Sequence, residues 1–275
     1  NNGRAQRQKV DFGPSNKYSR HTIHMLKDEY DGNTGNQLPT IPEGELASVR
    51  LGNWNTGNQA ESIEFTYTVD AKNHAVLILK YAVVLEDPSH AEEAQPHFDL
   101  QVRHKNTIIK CAQAVFTSGS NLGKDPTWHA QNNVWWKEWT TIGVNLKDYD
   151  GETLTIRVTT YDCTLGGHYG YAYFTLGCTN GEMDGIACGD TPTTQFIAPE
   201  GFKYRWYLPE NSNSILGANR NYNVHPSDTL TYNCDIISAT DSTCYFTLSA
   251  SAIPRYPVAN ASYRATTENC TNKVS

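Results

Sequence analysis

The stretch Ser62-Ile-Glu-Phe-Thr-Tyr-Thr-Val69 decides the fold class of this chain. Its apolar residues Ile63, Phe65, Tyr67 and Val69 alternate with polar ones. A period of two is the pattern of a β-strand with one buried and one exposed face. The stretch therefore predicts a half-buried strand and, with the similar segments around it, an all-β protein.

More strand signals follow this stretch at short intervals. Residues 75–85 form a β-branched and apolar run interrupted only by Lys80, as expected of a central strand. Other strand-like segments lie at residues 47–51, 98–102, 108–111, 135–144, 154–158 and 169–176. Roughly eight strands with turns between them predict a jelly-roll-like β-sandwich over residues 46–180. Residues 1–45 are polar and rich in turn formers, so we expect an extended N-terminal arm.

A second, smaller domain follows a change in composition. Gly, Asn, Asp and Thr dominate residues 177–192, which indicates a junction. The short strand signals beyond it predict an Ig-like or PKD-like β-sandwich over residues 186–256. Trp206 takes the place of a buried core tryptophan on the third strand of that fold. Residues 257–275 start a new strand pattern, which we expect to be the beginning of a further, truncated module.

Bulk composition excludes several classes of function. The chain has 275 residues and a net charge of -7, which disfavours nucleic-acid binding because that needs clustered Lys and Arg. No apolar run approaches the roughly 20 residues of a membrane span, so we expect no direct membrane insertion. Residues 1–10 are polar and basic rather than a signal peptide, and we expect that a targeting segment or earlier domains have been removed.

The seven cysteines indicate an oxidising compartment and a secreted or cell-surface protein. No Cys-x-x-Cys pair is present, so disulfides are favoured over zinc fingers. Disulfide candidates are Cys111, Cys163, Cys178, Cys188, Cys234 and Cys244. Cys234 and Cys244 would face each other across a hairpin centred near residue 239. The pairing of the six stays open, and Cys270 is the cysteine left over.

Several passages occur in a characteristic order. They are Ile41-Pro-Glu-Gly-Glu-Leu-Ala-Ser-Val-Arg-Leu-Gly-Asn53, Lys80-Tyr-Ala-Val-Val-Leu-Glu-Asp-Pro88 and Thr159-Thr-Tyr-Asp-Cys-Thr-Leu-Gly-Gly-His-Tyr-Gly-Tyr-Ala-Tyr-Phe174. Together they resemble a jelly-roll-like module of large multidomain surface proteins of Bacteroidetes. The passage Ala198-Pro-Glu-Gly-Phe-Lys-Tyr-Arg-Trp206 is similar to Ig-like and PKD-like modules of those proteins. The resemblance implies an adhesin-like or glycan-facing surface protein and carries over no catalytic residue.

An acidic segment follows the most apolar strand. Glu86-Asp-Pro-Ser-His-Ala-Glu-Glu93 clusters carboxylates on a predicted loop, and carboxylate oxygens are preferred Ca²⁺ ligands. Glu86 and Asp87 are therefore candidate ligands of a structural calcium ion. The spacing does not match an EF-hand loop. The alternative is a solvated acidic turn.

A second segment suggests a sugar site. Residues 160–173 are dense in Tyr, Gly and polar groups. Aromatic faces beside a few polar groups suit sugar rings and their hydroxyls. Candidate ligand-binding residues there are Asp162, His168, Tyr169 and Tyr171. The alternative, which we favour, is a structural hairpin with Cys163 in a disulfide, for example to Cys111.

Tryptophans supply two further candidate ligand contacts. Trp128, Trp135, Trp136 and Trp139 cluster in one segment. If they lie on a strand, Trp135 and Trp136 point to opposite faces, so one of them is outward and available to a ligand. We take Trp136 as that residue, and Trp54 on a predicted loop as the other.

Three functions compete at this point. The first is a non-enzymatic adhesion or scaffold segment of a secreted or surface protein, with a glycan or host surface protein as partner. The second is a carbohydrate-binding module. The third and most distant is an accessory or catalytic glycoside hydrolase domain. We expect no enzyme, because the chain shows neither a nucleophile elbow nor a glycosidase motif.

Overall fold

A computed structural model describes residues 11–12, 15–119, 121–180, 184–187, 194–224, 230–252, 265–268 and 271–274. This part of the chain contains no α-helix, and its strands pair almost entirely antiparallel. None of its elements is a helix with the length and apolar character needed to span a bilayer. The all-β prediction is therefore confirmed.

The first sandwich is built from two sheets. Its strands are β1 (Asp11–Phe12), β2 (His21–His24), β3 (Ser48–Leu51), β4 (Ala60–Thr68), β5 (Val76–Glu86), β6 (His97–His104), β7 (Thr107–Thr117), β8 (Trp128–Gln131), β9 (Val134–Asn145), β10 (Thr153–Tyr161) and β11 (Gly170–Thr179). One sheet has the order β1-β2-β3-β11-β5-β9-β8, and the other has the order β4-β10-β6-β7.

The connectivity is that of a jelly roll. In chain order, β3, β4, β5 and β6 alternate between the two sheets. After the β6–β7 hairpin, the strands β7, β9, β10 and β11 alternate again. This places four strands in each layer, with β1, β2 and β8 added at the edges of one layer. The inward faces of both layers form one apolar core, so the predicted jelly-roll-like sandwich is confirmed.

The arm lies across the outer face of the larger sheet. Strand β2 pairs with β3, and Leu38 is buried in an apolar cluster with Trp136, Tyr171 and Tyr173. The Asp31 carboxylate accepts hydrogen bonds from the hydroxyl groups of Tyr171 (2.8 Å) and Tyr173 (2.7 Å). Bonds to an ionised acceptor are among the stronger ones in proteins. The outer face of this sheet is therefore a second packed layer rather than an open surface.

The second sandwich is smaller. Its strands are β12 (Asp184–Ala187), β13 (Thr194–Ile197), β14 (Lys203–Tyr207), β15 (Asn221–Val224), β16 (Leu230–Ile237) and β17 (Tyr245–Ala252), in sheets β12-β13-β15 and β14-β16-β17. Trp206 is fully buried, as predicted, and stacks on Phe196 and Tyr222. Two further strands, β18 (Ala265–Glu268) and β19 (Thr271–Val274), pair with each other. The other residues of the expected truncated module lie outside the described ranges.

The two sandwiches are joined at the end of the first one where β5 begins. Val76, the first residue of β5, is buried in the core of the second sandwich. Phe202 and Phe246 pack on Gly143, where an added Cβ would lie 2.7 Å from Phe202 Cζ. A disulfide between Cys111 and Cys244 spans the same junction, with a sequence separation of 133 residues.

This disulfide corrects the pairings expected from the sequence. Cys163 does not bond Cys111, because it lies in the β10–β11 turn, away from the second sandwich. Cys234 does not bond Cys244, because its partner across the hairpin is Leu248. The turn is centred two residues later than expected, since Ile237 pairs with Tyr245.

The other disulfide candidates have different positions. Cys163 and Cys234 are buried free thiols, and Cys178 is an exposed one. Burial raises the pKa of the Cys234 thiol to about 12. Cys188 and Cys270 lie outside the described residues.

Candidate functional site at the loop end of the first sandwich

Four loops meet at the end of the first sandwich opposite the junction. They span residues 52–59, 87–96 and 162–169 and, on the third loop, the described residues 118–119 and 121–127. The Thr164 backbone N–H donates to the Ala94 carbonyl oxygen (3.2 Å), and the Ser118 hydroxyl donates to the Glu86 carbonyl oxygen (3.0 Å). The two loops that the sequence marks as candidate sites are therefore direct neighbours.

The candidate calcium ligands have protein partners. Glu86 Oε1 accepts from the Asn133 side-chain amide (2.7 Å). Asp87 Oδ1 accepts from the Ser89 backbone N–H (2.8 Å) and from the Gln95 side-chain amide (3.1 Å). These bonds fix the shape of the turn after β5. Calcium binding by Glu86 and Asp87 stays a prediction.

Asp162 is buried and ties strand ends together. Its carboxylate accepts from the backbone N–H groups of Gln59 (3.0 Å) and Gly170 (3.2 Å). Burial raises the pKa of Asp162 to about 6 in spite of these bonds. The carboxylate thus stabilises the backbone at two loop ends through these hydrogen bonds. Its burial argues against a direct contact with a sugar.

Glu61 lies beside this pair of loops and is buried as well. Its Oε1 is 3.5 Å from Arg20 Nε, and Asp162 is close enough to oppose its ionisation. Burial outweighs the attraction of Arg20 and raises the pKa of Glu61 to about 7. Its fractional exposure is 4%, so this carboxyl group influences stability rather than a bound substrate.

A cluster that the sequence did not predict lies between the two candidate loops. One ligand-type atom each from His90, Cys163 and His168 lies within 4.8 Å of the other two. Cys163 Sγ is 3.5 Å from His168 Nδ1 and accepts from the Gly167 backbone N–H (3.3 Å). The rings of His90 and His168 meet edge to face at 5.2 Å. The Cys163-x₄-His168 spacing is visible in the sequence, but only the fold adds His90.

The remaining aromatic candidates near this end are partly covered. Tyr169 stacks on Tyr171 with ring centroids 5.8 Å apart, and burial raises its pKa above the usual range. Trp54 packs under the Arg50 guanidinium, which lies 4.8 Å from its ring centre. His168 is half-buried. These rings form a packed row beside the arm rather than an exposed platform.

Trp136 and Tyr171 are more deeply buried than the sequence predicts. Trp135 faces the sandwich core and Trp136 faces outward, so the predicted opposition of the two rings is confirmed. The expectation that Trp136 is available to a ligand is wrong, because only 2% of it is exposed under the arm residue Leu38. Tyr171 is fully buried for the same reason.

A groove of about 370 Å³ remains at the margin of the arm. It is lined by Gln37, Leu38, Pro39, His129, Trp136, Glu138 and Trp139. The Trp139 indole N–H donates to the Pro39 carbonyl oxygen (2.8 Å), which leaves its half-buried ring facing the groove. His129 Nε2 lies 2.5 Å from Glu138 Oε1. The groove thus places the ring of Trp139 beside an imidazole and a carboxylate.

No protein-family model and no curated protein sequence matches this chain. Several solved structures show distant likeness, including the following two. The glycoside hydrolase domain of Endo-D from Streptococcus pneumoniae R6 shares 9% identity, with a TM-score of 0.25 and coverage of 75% of this chain. A beta-1,2-glucanase from Parabacteroides distasonis shares 12% identity, with a TM-score of 0.23 and coverage of 86% of this chain. The chain covers only 33% and 37% of those chains, and the TM-scores are too low to support any argument.

Proposed function

We propose that this chain is a non-enzymatic scaffold segment of a secreted or surface-exposed bacterial protein. It holds two β-sandwiches in a fixed arrangement and presents the loop end of the first one to a glycan or a host surface protein. The Cys111–Cys244 disulfide is typical of proteins in an oxidising environment, and it supports a location outside the cytoplasm.

The junction between the two sandwiches is the observation that carries this proposal. Ordinary tandem domains are joined by exposed linkers and move relative to each other. Here Val76 belongs to a strand of the first sandwich and to the core of the second. Phe202 fills the flat surface that Gly143 leaves open, and the disulfide crosses the same contact. Apolar packing and a covalent bond therefore act at one place, which suits a rigid spacer.

Small-angle X-ray scattering tests the rigidity. We expect the wild-type scattering profile to fit one relative position of the two sandwiches. The profile of the Cys111→Ala/Cys244→Ala variant should instead require several relative positions. A wild-type profile that itself requires many arrangements would remove the scaffold proposal. In parallel, we expect no reducing sugar to be released from a broad polysaccharide panel. Release that is lost on denaturation would instead establish an enzyme.

A carbohydrate-binding role is the second candidate, and the groove beside the arm favours it. Tryptophan rings cover the apolar face of a sugar, while charged or polar side chains bond its hydroxyl groups. Trp139 and the His129–Glu138 pair supply both kinds of contact within one groove.

Affinity electrophoresis through polysaccharide-containing gels tests this second role. We expect retardation of the wild type and its loss in Trp139→Ala. Trp135→Phe is the control, because it changes a half-buried tryptophan that faces the core and lies outside the groove. Equal retardation of wild type and Trp139→Ala would place any sugar site elsewhere.

A further inference from the structure

The cluster of His90, Cys163 and His168 joins two separate loops. His90 comes from the loop between β5 and β6, and the other two come from the loop between β10 and β11. Cys163 is fully buried and takes part in no disulfide. A buried thiol with no access to solvent is poorly placed to attack a substrate. Its position between two imidazoles needs another explanation.

The ligand set is one that zinc prefers. Zinc in proteins is bound by cysteine sulfur at about 2.3 Å and by histidine nitrogen at about 2.0–2.1 Å, in tetrahedral geometry. Those bond lengths imply a sulfur–nitrogen edge of about 3.6 Å in the tetrahedron. The observed distance from Cys163 Sγ to His168 Nδ1 is 3.5 Å. The three ligand atoms lie within 4.8 Å of one another, so the group as a whole needs a contraction of at most about 1.5 Å to reach tetrahedral edges of about 3.3–3.6 Å.

Two further features of the cluster suit a metal-binding site. His90 Nδ1 is shielded from solvent and has no hydrogen-bond partner among the described residues. Buried polar atoms without a hydrogen-bond partner are uncommon, and one explanation is an ion that binds them. The Gly167 backbone N–H points at Cys163 Sγ, and such a donor stabilises a thiolate. Each of these features has a direct role if a cation lies between the three side chains.

We propose that His90, Cys163 and His168 form a zinc-binding site that fastens the loop at residues 87–96 to the loop at residues 162–169. Within the described ranges, three side chains make up the group, so water or a small anion would take the fourth position. His90 and His168 are both half-buried, so the cluster borders solvent on the side of the two histidines. This proposal is independent of the scaffold role.

Cobalt substitution gives a direct test on the intact chain, with its disulfide kept oxidised. A tetrahedral site with a thiolate gives a sulfur-to-cobalt charge-transfer band and strong visible bands when Co²⁺ binds, and Zn²⁺ then displaces the colour. We expect a single equivalent in the wild type. We expect the charge-transfer band to vanish in Cys163→Ser and the affinity to fall in His90→Gln.

The control is Cys178→Ser, which removes an exposed free thiol outside the cluster and should leave the spectrum unchanged. Circular dichroism shows whether each variant is folded. His90→Gln changes only a half-buried loop residue, so it keeps the test meaningful if Cys163→Ser fails to fold. A charge-transfer band that survives in folded Cys163→Ser, or no band in the wild type, would overturn the proposal.

Discussion

Removing the Cys111–Cys244 disulfide should destabilise the protein more than most single changes do. A crosslink limits the conformations of the unfolded chain, and this entropic effect grows with the logarithm of the loop length. For a separation of 133 residues the chain-entropy model gives about 5 kcal/mol at 25 °C. We therefore expect the Cys111→Ala/Cys244→Ala variant to lose up to about 5 kcal/mol of unfolding free energy.

Alanine is a suitable replacement on structural grounds. Cys111 has a φ of 65°, a backbone conformation that strains every residue with a Cβ. Alanine keeps the Cβ, so this strain is equal in both proteins and cancels from the comparison. The change in stability then reports mainly on the crosslink.

Urea unfolding followed by tryptophan fluorescence measures this effect. The variant should show a lower midpoint and a steeper dependence on urea, because its unfolded chain exposes more surface. Cys178→Ser is the control and should change the free energy of unfolding by less than about 0.5 kcal/mol. A loss below about 1 kcal/mol in the double variant would refute the entropic argument.

Three other changes follow from the contacts described above. Glu61 keeps its proton in the folded protein up to a pKa of about 7 but loses it near 4.5 when unfolded, so stability should fall by about 3 kcal/mol as pH rises through that interval. Glu61→Gln should abolish this fall in urea unfolding at several pH values, and an unchanged pH profile would contradict the argument. Asp31→Ala leaves two buried tyrosine hydroxyls without their acceptor, which should destabilise the protein by about 3 kcal/mol and speed tryptic cleavage of the arm at Lys27. Equal cleavage rates would show that Asp31 does not hold the arm. Gly143→Ala places a Cβ against Phe202 and should cost about 1–3 kcal/mol in thermal unfolding, an effect that a Phe202→Ala background should reduce.

Most of the first sandwich could be predicted because its strands follow the period of two. The segment from Ser62 to Val69 lies on β4 up to Thr68, and along this strand exposed residues alternate with more buried ones. All but the first residue of the apolar run 75–85 lie on β5, the strand that pairs with both β11 and β9. Burial of Trp206 followed in the same way from a local pattern.

Contacts between residues far apart in the sequence could not be predicted from local sequence patterns. The Cys111–Cys244 bond depends on how the second sandwich sits against the first, which no segment of either encodes alone. Coverage of Trp136 depends on the arm, more than 90 residues earlier in sequence, since Leu38 packs there. His90 meets Cys163 only because the jelly-roll connectivity brings their loops to one end.

The disulfide also has a mechanical consequence. Under tension applied at the two chain ends, force passes from Cys111 directly to Cys244, and the residues between them carry none of it. A fully extended 275-residue chain would reach about 960 Å, whereas the crosslinked chain stops near about 500 Å. Strands β8 to β16 therefore stay slack while the outer parts are pulled straight. One covalent bond therefore shields nearly half of the chain from stretching under such tension.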